Sequence, residues 1–363
     1  MTHFIQLHLL TSYAASNLNR DDTGRPKTLH FGGAERLRIS SQSLKRAFRT
    51  SDVFRAHLPD ALGKRSISFA DGLIRALVAR GLDEAEATKR AATVIDHDKL
   101  GKLKTDKDKP MAKTEQLVHL GPDELAALEQ LADRLATSAT LAEKDMLVLK
   151  HQPRAVDIAM FGRMLADNPG YNVEAAVQVA HALTTHRVTV EDDFYTAVDD
   201  IKNADGDADR GAGFLGIQEY GAGLFYLYIC INADLLLANL AGDRALAEQA
   251  LAGLIKAAAT VSPTGKQNAF ASRALARCVV QEIGTDTPRS LAAAFERPVG
   301  HGTAESDLFE ASVKRLEDLR TQFNRIYDQS PETLVLKVGA DATASLAELV
   351  AAAQGVLHRI QTA

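Results

Sequence analysis

Cysteine is almost absent: the chain holds only Cys230 and Cys278 in 363 residues, and they do not form a C-x-x-C pair. That excludes a disulfide framework and a zinc ribbon, and both thiols read as small buried hydrophobes. Long apolar runs are missing too. Nothing approaches the ~18 residues that span a bilayer, and MTHFIQLHLL lacks the basic start and small-residue cleavage site of a signal peptide. The expectation is a soluble, cytoplasmic protein with no membrane partner. Metal and nucleotide motifs also fail. None of the eleven histidines sits in H-E-x-x-H, and His181 and His186 are off the i, i+4 spacing. Asp205, Asp207 and Asp209 open like a calcium loop, yet Arg210 and Gly216 stand where glycine and glutamate are required. Gly211-x-Gly213-x-x-Gly216 leads into a strand rather than a helix and reads as a turn, and Gly265-Lys266 is followed by Gln267 rather than Ser or Thr. No metal and no cofactor are expected. Asp21-Asp22 and Asp199-Asp200 are the remaining catalytic candidates, although adjacent acids in loops commonly serve as turns or caps.

What is present is a core-forming composition, 46% hydrophobic and 25% charged, with a net charge of −5 that hides an asymmetry. Residues 1–50 carry eight Lys/Arg against three acids, a net +5, so the remainder carries −10. This is the footprint of a local polyanion site on an otherwise acidic protein. The cations concentrate at RISSQSLKRAFR, residues 38 to 49. On a helix, Gln42, Lys45 and Arg49 share one stripe, while Leu44, Ala47 and Phe48 lie on the other side. Ser40 or Ser41 can cap its first turn. Lys45 and Arg49 repel at i, i+4 unless an anion lies across them, so the segment reads as a phosphate rail; an ordinary capped surface helix is the alternative.

Along the chain, FIQLHLL reads as a central strand, followed by the turn-rich SNLNRDDTGRPKTLHFGG, the strand ERLRI and the basic helix. Residues 51–151 are helical in pattern, interrupted by the lysine-rich linker DKLGKLKTDKDKPMAKT. A helix is expected over 173–185, then strand-like HRVTVEDDFYTAVDDI, the buried strand IQEYGAGLFYLYICIN, the helix ALAEQALAGLIKAAATV, the strand ALARCVV and a helical C-terminal region. The class is α/β (α+β).

The combination of LNRDD, FGG, RISSQSLKRAFR and TTHRVTVEDDFYTAVDD, with FIQLHLL, DIAMFGRM, AHALTTH, LGIQEYGAGLFYLYICIN and GKQNAFA in the same order, resembles the CasC family, backbone subunits of the type I-E CRISPR Cascade complex. The resemblance implies an RNA-recognition-motif-like (ferredoxin-like) palm over 1–50, 152–186 and 215–363, helical fingers over 51–151 and a β-hairpin thumb over 187–214. It implies a filament of copies along one guide RNA (crRNA), joined by other Cascade subunits and pairing with target DNA. By the same resemblance Arg20, Lys27, Ser40, Gln42, Lys45, Arg46 and Arg49 hold guide phosphates. Met164, Phe194, Tyr195 and Thr196 wedge beside a displaced nucleotide; read without the resemblance, Met164 and Phe194 are core residues. Lys102, Lys104, Lys107 and Lys109 resemble a DNA-contacting finger surface, or else a solvated loop. No enzymatic chemistry is implied. The alternative is a metal-dependent ribonuclease subunit of a related effector, using Asp21 or Asp22 in the early loop.

Overall fold

The computed structural model describes residues 1–97, 100, 103–106, 109–138, 141–197, 214–300, 307–339 and 342–361. Its strands are β1 (Phe4–Ser16), β2 (Thr28–Phe31), β3 (Ala34–Ile39), β4 (Lys64–Ser66), β5 (Leu103–Asp106), β6 (Lys109–Thr114) and β7 (Val118–Leu120). They continue as β8 (Val177–Val179), β9 (Ala182–Thr184), β10 (Glu191–Ala197), β11 (Phe214–Asn232), β12 (Ala276–Gly284) and β13 (Glu332–Lys337). The main sheet runs β13-β12-β1-β11-β9-β3-β2, with β8 and β10 also paired to β11. β1 is central as expected, antiparallel to β11 on one side and to β12 on the other.

Alternation along β1 explains why this strand must lie between two layers. Ile5, Leu7 and Leu9 enter one core, while Leu10 enters another on the opposite face. The first core is closed by α1 (Ser41–Thr50) and α2 (Asp52–His57), which bury Leu44, Phe48 and Phe54, and by two long apolar helices, Arg244–Thr260 and Leu346–Leu357. The opposite face is covered by the helix Leu308–Ile326 through Phe309, Val313 and Leu316. Cys230 and Cys278 are free and buried within the sheet. On that second face Gln6, His8, Tyr226, Tyr228 and Glu282 form a buried polar network: Tyr226 Oη lies 2.9 Å from His8 Nδ1, and Arg289 forks onto both Glu282 oxygens at 3.0 Å. Burial alone would raise the Glu282 carboxyl, but His8 and Arg289 hold it below the ordinary range.

A separate core lies between β3 and β8 in sequence. The helices α3 (Phe69–Ala79), α4 (Glu84–His97) and α5 (Pro122–Thr137) bury Leu73, Leu77, Val94 and Leu131 together with Val118 and Leu120 of β7. The architecture is thus a mixed α/β fold: an RNA-recognition-motif-like palm, a helical finger insertion and a β-hairpin thumb formed by β10 on β11.

Three local expectations fail. The helix expected over 173–185 is two short strands, β8 and β9, both antiparallel to β11. Its alanines favoured a helix, and pairing with a long central strand overrode them; Val177 and Val179 are buried while Gln178 between them is exposed, the strand period. The lysine-rich linker contains the hairpin β5–β6, with Leu103 packed on the finger core. The helical run 70–95 breaks at Gly81, whose φ of +97° belongs to the left-handed region.

Candidate nucleic-acid interface

The basic segment is a helix with its polar face in the open. Ser40 is its N-cap, accepting from Ser43 N at 3.4 Å, and its own amide donates to Asn19 Oδ1 at 2.8 Å. That bond ties the early loop to the start of α1, and Lys27 N donates to Asn19 O at 2.8 Å, which draws the segment bearing Arg20 and Lys27 together. Leu44 and Phe48 are buried, Gln42 and Arg46 exposed, and Lys45 and Arg49 half-buried. Ser40 itself is buried.

Helix α1 is a ridge between two grooves. On one side a groove of ≈ 1080 Å³ is lined by Arg20, Asp22, Arg46 and Arg273. On the other a groove of ≈ 630 Å³ is lined by Gln42, Lys45, Arg46, Arg49, Arg65 and Met164. The two grooves share Arg46. Lys45 has no acidic partner among the described residues; its ammonium sits 5.9 Å from the Phe161 ring centroid. Burial pulls that ammonium below its ordinary value, so an anion placed against it would relieve the desolvation.

Arg49 differs. Its Nη1 lies 3.3 Å from Asp157 Oδ2, and that buried carboxylate also accepts from Gly63 N at 2.8 Å and lies 3.0 Å from His119 Nε2. Burial alone would raise the Asp157 carboxyl, yet the bond from His119, its charge, the Gly63 amide and Arg49 hold it below the usual carboxylate range. Arg49 therefore reaches the groove with its charge already partly compensated. Sequence reading missed Asp157, His119 and Gly63, because nothing local links residues so far apart.

Not all of the early cations face solvent. Arg36 is buried, donating Nη1 to Thr184 O at 2.8 Å and Nη2 to Phe295 O at 2.9 Å, and Arg25 pairs with Glu219 at 2.6 Å. The net +5 of residues 1–50 overstates the cations offered to a ligand. Arg163, in the GRM motif, is also structural: it is buried and forks onto Glu124 at 2.8 Å, tying the palm to the first turn of α5.

Met164 beside it is 81% exposed. Phe194 and Tyr195 on β10 are 64% and 42% exposed, and Thr196 is exposed as well, so none of the four sits in the core. Tyr195 stands opposite Gly216 of β11, which makes Gly216 a strand residue; a Cβ there would fall 2.5 Å from Tyr195 Cζ. Asp21 is spent on its own turn, its Oδ1 accepting from Thr23 N, Thr23 Oγ1 and Arg25 N at 2.8–2.9 Å. The Thr23 hydroxyl and these amides hold its carboxyl low. Asp22 is exposed at the rim of the larger groove, and Asp199-Asp200 lie outside the described residues. Of the finger lysines, Lys104 pairs with Glu115 at 3.0 Å and Lys109 begins β6, while Lys102 and Lys107 lie outside the described residues.

Two solved structures share this arrangement of elements. One chain, from a "CRISPR RNA-guided surveillance complex, pre-nicking", is 30% identical over 98% of this chain and 100% of its own, with a TM-score of 0.83. Another, from a "CRISPR RNA-guided surveillance complex", is 27% identical over 97% of this chain and 99% of its own, with a TM-score of 0.73. No curated protein matches. A family described as "CT1975-like protein" matches residues 5–362, and with that match the chain belongs to the CT1975-like family, in agreement with its CasC-like motifs.

Proposed function

We propose that this protein is a guide-RNA-binding backbone subunit of a type I-E CRISPR surveillance complex, polymerising along the guide and presenting its bases to target DNA. The observation that carries the reading is the groove beside α1, where Lys45 and Arg46 lack an acidic partner among the described residues and Lys45 is partly desolvated. Such a surface grips phosphates and leaves base edges to pairing, which then supplies the sequence specificity. The exposed Met164, Phe194, Tyr195 and Thr196 supply apolar contact suited to parting stacked bases without reading them. The finger lysines Lys102, Lys104, Lys107 and Lys109 suit contact with target DNA.

In this role the subunit performs no chemistry, and the commitment of Asp21 to its own turn favours that over the ribonuclease alternative. The test is RNA binding against salt by the full chain, comparing the wild type with Lys45→Ala/Arg46→Ala. Two lost phosphate contacts flatten the log K against log salt slope by about 1.4 for single-stranded RNA, for every guide sequence alike. The same mixtures supplied with magnesium or manganese and a complementary strand are expected to leave it intact. An unchanged slope, or cleavage lost in Asp22→Asn, overturns the reading.

A further inference from the structure

The smaller groove has a second wall, and that wall comes from the finger insertion. Facing Gln42, Lys45, Arg46 and Arg49 of α1 are Arg65 of β4 and His119 of β7, with Met164 at the rim. β4 and β7 form their own two-stranded ladder in which Arg65 stands opposite His119. One buried carboxylate bonds to both strands and to α1. Asp157 accepts from Gly63 N, immediately before β4, lies 3.0 Å from His119 Nε2 on β7, and takes Arg49 Nη1 from α1. One carboxylate thereby pins both walls to the helix Val156–Phe161 beneath them.

Arg65 is exposed, and no ion pair to it occurs among the described residues. Five Lys/Arg therefore line this groove against one acid; Arg163 is spent on Glu124, which leaves Lys45, Arg46, Arg49 and Arg65, and the acid, Asp157, is buried and already taken. Concentrating like charges in a concave site raises the local potential, and the cost is recovered when an anion enters. We infer that Arg65 is a phosphate-binding residue, so that the guide is clamped between palm and insertion rather than laid along α1 alone. Its planar guanidinium offers a two-pronged donor to phosphate oxygens from the side that Lys45 does not reach, and those oxygens have acceptor capacity for both walls. This rests on the proposed RNA reading and deepens it: holding the backbone engages both structural units, so the spacing that Asp157 helps to hold is also the width of the RNA channel.

The test uses the full chain and a labelled single-stranded RNA of guide length, titrated from 50 to 200 mM salt. Arg65→Ala is compared with Lys64→Ala, an equal charge loss one residue away that does not line the groove, and with Lys45→Ala. One lost contact lowers the slope by about 0.7, so binding falls roughly 2.6-fold less across that fourfold salt range. The expected result is that Arg65→Ala and Lys45→Ala both flatten the slope, Lys64→Ala does not, and all three melt with the wild type. If Lys45→Ala flattens it while Arg65→Ala behaves as Lys64→Ala, the second wall is wrong and the rail stands. If neither changes it, the RNA reading of the groove fails, and this inference with it.

Discussion

Replacing Asp157 with asparagine keeps the shape of the side chain and removes its charge, so it isolates what that carboxylate does between α1, β4 and β7. Asparagine still offers one oxygen to Gly63 N, but turns an NH2 toward the His119 ring and the Arg49 guanidinium, both of which now lose their acceptor. The His119 side chain is only 10% exposed, so an unsatisfied group there costs about 1–3 kcal/mol. The Arg49 side chain is 21% exposed and recovers part of its loss from water, adding below about 1 kcal/mol. A total near 2–3 kcal/mol, spread over a chain of this length, lowers Tm by about 3–4 °C. The pH dependence has a definite sign. Because the native carboxyl is held below its unfolded value of about 3.9, the unfolded chain binds more protons between the two values. The stabilisation is therefore complete above about pH 5 and is lost as pH falls through the native value, so the Tm gap between wild type and Asp157→Asn is constant from pH 6 to 8 and narrows below about pH 4. RNA binding moves the other way: freeing Arg49 steepens the salt slope by up to about 0.7. A less stable protein that holds RNA with a steeper slope is the expected pairing. Unchanged melting together with an unchanged slope refutes the claim that Asp157 compensates Arg49.

Gly216→Ala drives a methyl into the Tyr195 ring across the β10–β11 pair, an overpacking cost of about 1–3 kcal/mol, and hydrogen exchange is expected to speed up in 191–197 while β1 and β12 stay protected. Arg163→Met leaves the fully buried Glu124 carboxylate without its cation and strips donors from Tyr171 O and Lys150 O, costing about 3–5 kcal/mol in chemical denaturation; a shift under 1 kcal/mol would show that the ion pair is dispensable.

Where the pattern was periodic, the sequence was legible. β1, β3, α1, β11, Arg244–Thr260 and β12 lie where alternation or a 3.6-residue stripe put them, and Ser40 caps α1. The stretch 173–185 was not legible, because its alanines favour a helix and the deciding partner, β11, lies some forty to fifty residues downstream. The rail was legible as charge on a stripe, but not the division of labour within it. Arg36 and Arg49 carry the same side chain, yet one is buried among carbonyls and the other leans on Asp157; only long-range packing separates them from Lys45 and Arg46. Arg65 and His119 escaped because their role depends on the insertion folding back beside α1.

β11 is one unbroken strand of 19 residues that pairs with β1 over Gly221–Asn232, with a register shift near Gly221, and with β10 over Phe214–Tyr220. The hairpin is thus a continuation of the central sheet, and it works as a ruler. At roughly 3.4 Å per residue, inserting two residues into each strand of its outer half would carry Phe194 and Tyr195 about 7 Å farther out, each on its own face. Inserting one into each strand would exchange the faces that Phe194 and Tyr195 present. Reach along this arm without exchanging those faces is available only in two-residue steps, so in the proposed filament any spacing it sets would be quantised by the pleat of the strand.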